Sequence, residues 1–131
     1  MPNFKEHATT GAVVGAGLNL AWQLRKLRNS TEPPTGFWDT INRINFLELA
    51  AFAVVGAAIA SLPDIIEPAR SPNHRAILHS VSFGGAVAYG AFGKHSKKWE
   101  PESRMTIRTA ALSYLSHLAL DCGTPMGIPF I

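Results

Sequence analysis

Glu102 to Asp121 reads ESRMTIRTAALSYLSHLALD. Apolar Ile107, Ala110, Ala111, Tyr114, Leu115 and Leu118 recur at the three- and four-residue steps of one helix face, which predicts a helix over this stretch. Its other side carries Arg108, Ser113, Ser116, His117 and Asp121. Four residues is about one helical turn, so His117 and Asp121 stack on one face and both reach a single ion. An imidazole nitrogen and a carboxylate oxygen suit zinc, and equally manganese or iron.

Working outward, three more apolar segments follow the same logic. Ala8 to Leu24 (ATTGAVVGAGLNLAWQL) lacks charge and sets Gly11 and Gly15 at the small-xxx-small spacing that lets a second helix approach closely. Phe46 to Leu62 (FLELAAFAVVGAAIASL) is a second helix, with Pro63 expected to close it because the residue before a proline is pushed out of the α region. Ile77 to Phe92 is a third, and Glu102 to Asp121 the fourth. The intervening stretches are polar or proline-rich: Arg25 to Gly36, Asp64 to Asn73 and Lys94 to Ser103 are linkers. Phe37 to Arg43 (FWDTINR), with two aromatics, is expected to lie at an interface.

Short connections favour antiparallel neighbours, so the fold class expected is all-α, an up-down-up-down four-helix bundle of one domain over residues 1–131. That topology gathers His7, Asp64, Glu67, His74, His79, His117 and Asp121 at one end. It puts the basic runs Arg25, Lys26, Arg28 and Lys94, Lys97, Lys98 at the other. If the bundle spans a membrane, the basic end marks the cytoplasmic side and the metal end faces away from the cytoplasm.

Composition narrows the function classes. Charged residues make up 16% of the chain, against about 25% in soluble domains, and apolar residues 47%, which leans toward lipid. The formal charge of +3 comes from basic runs without interleaved aromatics, so nucleic acid is not an expected partner. Cys122 is the sole cysteine, which leaves no intramolecular disulfide.

Any single histidine at a helix end is ordinarily a cap or a surface group, and His95 within KHSKK is expected to be solvated. Convergence sets the other histidines apart, since separate segments each deliver a ligand type to one place. These donors exceed what one open site requires, so one or two divalent ions fit, zinc first and manganese or iron as alternatives. The mechanism expected is hydrolysis of an ester or phosphoester by a metal-activated water, with Glu67, His74 or an unligated carboxylate as general base and Arg75 as a bidentate phosphate clamp.

The ordered set His7, Leu62-Pro63-Asp64, His74-Arg75 with His79-Ser80, and Tyr114-Leu115-Ser116-His117 with Asp121, followed by Thr124-Pro125 and Gly127, resembles the bacterial inner-membrane metal-dependent hydrolases of the YdjM type. It spans nearly the whole chain and bears a looser similarity to zinc-dependent phospholipase C. The resemblance implies an inner-membrane location and hydrolase activity, and it assigns ligand roles to His7, Asp64, His79, His117 and Asp121. One departure stands out: Ile66 occupies the place where the family commonly carries a second aspartate, and Glu67 follows it. Expected partners are membrane lipid and a small-molecule or lipid substrate, with a homo-oligomer left open. The alternative is a non-enzymatic membrane or oligomeric helical protein with a structural metal site.

Overall fold

The computed structural model describes residues 4–68, 77–123 and 128–129, and all regular structure among them is helical. Five α-helices follow one another: α1 (Phe4–Arg28), α2 (Phe37–Arg43), α3 (Phe46–Ile66), α4 (Val81–Phe92) and α5 (Pro101–Cys122), with a short 3-10 helix, Lys94–Lys98, before α5. α1 packs along α3 and α5, α3 also meets α5, and α4 lies against α5. Each of the predicted apolar segments is helical, and Phe37 to Arg43 forms the extra short helix.

Local chemistry explains where these helices begin and end. α1 runs past the predicted Ala8 to Leu24 at both ends, with Glu6 in its first turn and Arg25, Lys26 and Arg28 in its last, charges that complement the helix dipole. The Asn45 side chain caps α3 by accepting from the Glu48 amide at 3.0 Å. Pro101 occupies the first turn of α5, where a missing N–H costs nothing.

Two further boundaries differ from the sequence expectation, and both matter for the site. Pro63 does not close α3. The helix continues through it to Ile66, and the Glu67 amide bonds back to the Pro63 carbonyl at 2.8 Å. A proline inside a helix forfeits one backbone hydrogen bond locally; the surrounding turns of α3 stay packed on α1 and α5, so the loss does not end the helix. At the next element, α4 begins at Val81 rather than Ile77, because Ser80 caps it. Its hydroxyl accepts from the Phe83 amide at 3.1 Å and donates to the Ile77 carbonyl at 2.7 Å, closing a turn over residues 77–80. His79 therefore sits on a capped turn ahead of the helix.

The buried residues of α1 are His7, Gly11, Gly15, Asn19 and Gln23, one stripe with a step of four. Its middle is backbone against backbone. A Cβ on Gly11 or Gly15 would overlap the Gly56 or Phe52 carbonyl of α3, and one on Gly56 would overlap the Gly11 carbonyl. Its lower end is a polar seam: Asn19 donates to Glu48 Oε1 at 2.9 Å, and Gln23 donates to Asn19 Oδ1 at 2.6 Å while accepting from the Asn45 amide at 2.7 Å. Glu48, the acid within the apolar run of α3, is half-buried and bonded to α1.

This core is unusual for a water-soluble bundle. Its buried apolar residues are Ala60, Ala91, Ala111, Tyr114 and Leu118, whereas fully buried polar groups include His7, Asn19, His79, Ser96, Thr109, Ser113 and His117. Large apolar side chains point outward instead: Leu47, Val54, Val55, Ile65 and Ile66 on α3, with Phe37 and Trp38 on α2. α3 is long and apolar enough to cross a membrane, with only 22% of its apolar window buried inside the protein. Small and polar residues inside with apolar residues outside is the arrangement that lipid favours, because helices in hydrocarbon associate through close packing and hydrogen bonds.

Candidate metal centre

Four chain segments deliver the site. His7 comes from the first turn of α1, Asp64 from the turn of α3 that runs on past Pro63, His79 from the capped turn before α4, and His117 with Asp121 from the last turns of α5. His7, His79, His117 and Asp121 are buried, while the Asp64 side chain retains 34% exposure.

The Nε2 atoms of all three histidines face both carboxylates. His7 lies 3.8 Å from Asp64 and 3.6 Å from Asp121; His79 lies 3.4 and 3.8 Å from the same two residues; His117 lies 3.8 and 3.4 Å from them. Hydrogen bonds to nitrogen ordinarily run to about 3.2 Å, so most of these approaches are too long to be good ones. Donors bound at about 2.1 Å around a tetrahedral cation would lie about 3.4 Å apart, which is the lower end of the observed spread. Neither nitrogen of His117 has a hydrogen-bond partner among the described residues, nor has His7 Nδ1. Burying an imidazole without partners is costly, and a cation at the shared centre removes that cost for Nε2. The donor set of three imidazoles and two carboxylates could therefore hold a metal ion. Two overlapping groups could hold it, His7 with His117 and Asp121, and Asp64 with His79 and His117; His117 belongs to both.

Glu67 stands one step back. Its Oε2 lies 3.0 Å from His79 Nδ1, and its Oε1 accepts from the Ile77 and Leu78 amides at 3.2 and 3.1 Å. A carboxylate on the far nitrogen of a ligating histidine fixes the ring's tautomer and aim. Burial alone would raise the Glu67 pKa, but the hydrogen bonds from His79 and the two amides outweigh it and hold the carboxyl below its ordinary range. Tyr114 adds a second brace by donating its hydroxyl to the Leu78 carbonyl, which ties the His79 turn to α5.

The structure thus brings His7, Asp64, His79, His117 and Asp121 to one point and puts Glu67 beside them. His74 and Arg75 lie outside the described residues, as do Thr124, Pro125 and Gly127. His95 is exposed, as expected, though its Nε2 meets the Gly90 carbonyl at 2.8 Å. Sequence reasoning put Tyr114 on an apolar face and missed its bracing role. The signal was its hydroxyl, which needs a partner when the ring is buried.

The YdjM inner membrane protein family model matches residues 1–131, the whole chain. No curated protein and no solved structure matches it. The matched family is the one that the order of histidine and aspartate motifs resembles, and the chain belongs to the YdjM inner membrane protein family.

Proposed function

We propose that this chain is a metal-dependent hydrolase of the inner membrane that cleaves an ester or phosphoester, with a lipid as the favoured substrate because the site would open near the bilayer surface. The observation that carries this reading is the asymmetry of the cluster: four donors are buried, and Asp64 alone leaves an edge through which water and a substrate can enter. A structural site is closed by its protein ligands, whereas a catalytic one keeps an open position. A divalent cation held there supplies Lewis acidity and water made acidic enough to attack at neutral pH.

In this reading Glu67 is a positioning residue and not the general base, since both of its oxygens are already engaged. His74 and Arg75, between Glu67 and the His79 turn, take proton transfer and the phosphate oxygens. The metal end faces away from the cytoplasm, with the basic runs on the cytoplasmic side.

The test is hydrolysis of a chromogenic phosphodiester and a chromogenic carboxylic ester by detergent-purified protein. Turnover of at least one is expected with added zinc, manganese or iron, and should vanish with chelator or in Asp64→Asn. Glu67→Gln should keep turnover at saturating metal while needing about 10- to 100-fold more of it. Fully loaded protein that turns over neither substrate, and whose metal exchanges no water, would favour a structural site instead.

A further inference from the structure

A second cavity lies at the other end of the molecule, between α1, the 3-10 helix and α5. It holds about 680 Å³, within the size range of ligand pockets. Arg25, Lys97, Arg104 and Arg108 line it, and no carboxylate does. Glu102, next to the lining Pro101, is paired with Lys26 at 3.5 Å, both side chains being exposed. Arg108 is anchored, with Nε 3.3 Å from the Ala91 carbonyl, Nη2 3.3 Å from the Ser96 hydroxyl and its guanidinium 5.2 Å from the Phe92 ring centre. Arg25, Lys97 and Arg104 make no ion pair among the described residues. Like charges gathered around one space repel each other, and an anion there relieves that repulsion.

The rest of the wall is apolar apart from Thr109, and it is graded with depth. Leu18 lies about 10 Å up α1 from Arg25, and Leu112 about 12 Å along α5 from Arg104, at the helical rise of about 1.5 Å per residue. Trp22 and Met105 lie between those levels and the charged rim. Along α1, His7 and Arg25 are about 27 Å apart by the same rise, close to the roughly 30 Å of a bilayer's hydrocarbon. A bilayer with the metal centre at one face would put the basic cavity at headgroup level in the opposite leaflet.

We infer that this cavity binds an anionic phospholipid, its phosphate among Arg25, Lys97 and Arg104 and an acyl chain along Leu18, Trp22, Met105 and Leu112. Charge at the rim and hydrocarbon toward the middle match the two ends of a lipid, whereas a free phosphate would leave the apolar wall without an occupant. Membership of an inner-membrane family supports this assignment, which uses the position of the His7 end of α1 and does not depend on bound metal.

Native mass spectrometry of detergent-purified full-length protein tests it, with phosphatidylglycerol, phosphatidylcholine and inorganic phosphate as separate probes. Phosphatidylglycerol is expected to bind about tenfold or more tightly than phosphatidylcholine, with the preference lost in Arg25→Gln/Arg104→Gln and kept in Lys26→Gln/Glu102→Gln. Equal retention of the two lipids would overturn the assignment. So would displacement of the lipid by millimolar phosphate, or a preference unchanged in the arginine variant. Should the arginine variant fail to fold, the wild-type comparison of the three probes still decides.

Discussion

His117→Ala is expected to strip the protein of bound metal. Its Nε2 approaches both carboxylates, at 3.8 Å from Asp64 and 3.4 Å from Asp121, and its ring packs against both other imidazoles, with centroids 3.9 Å from His7 and 4.9 Å from His79. No other residue belongs to both potential ligand groups. Loss of a residue that merely orients a ligand weakens metal binding about 10- to 100-fold, so loss of this donor should weaken it by at least about 100-fold. Elemental analysis of purified protein reads the effect, with Asp64→Ala beside it as a milder case, because Asp64 sits at the exposed edge. Full metal retention in both variants would remove the proposed site.

Gly56→Leu is expected to prevent α1 and α3 from packing and to take the metal site with it. Gly11, Gly15 and Gly56 interleave so closely that a single added carbon meets the backbone of the facing helix. Overpacking a core commonly costs about 1–3 kcal/mol when neighbouring side chains can shift. Here the obstruction is main chain, so the helices themselves must separate, and the cost should exceed that range. α1 carries His7 and α3 carries Asp64, so their separation dismantles the cluster from a position well away from it. The expected result is a steep fall in folded protein on size-exclusion chromatography, with loss of metal from what remains. Gly17→Leu is the control: nothing lies within 4 Å of a Cβ there, and it should behave as wild type. Equal tolerance of both substitutions would mean that α1 and α3 do not pack this closely.

The helices were legible because hydrophobic periodicity and proline or glycine punctuation act locally. The convergence of His7, Asp64, His79, His117 and Asp121 was legible for a related reason: each lies at or near the start or end of a helix, and those ends come together in the fold. The inverted core was not legible. Along α5 the periodic face Ile107, Ala110, Ala111, Tyr114, Leu115 and Leu118 suggested an apolar interior, yet Thr109, Ser113, His117 and Asp121 are as deeply buried, and Ile107 is exposed. Periodicity finds a face without saying which face turns inward. The fate of Pro63 was hidden for a different reason, since the restriction it imposes is local while the packing of α3 on its neighbours is not. Glu67 was singled out as a base, but only coordinates reveal that its two oxygens are already committed to His79 and a pair of amides.

X-ray absorption spectroscopy at the metal edge of the purified, metal-loaded protein tests the shared centre most directly. The expected spectrum has a first shell of nitrogen and oxygen at about 2.0–2.2 Å with no sulfur, and outer-shell scattering from imidazole rings that weakens in His7→Ala and in His79→Ala. A first shell without imidazole, or one left unchanged by both substitutions, would contradict the convergence of these four chain segments on one cation.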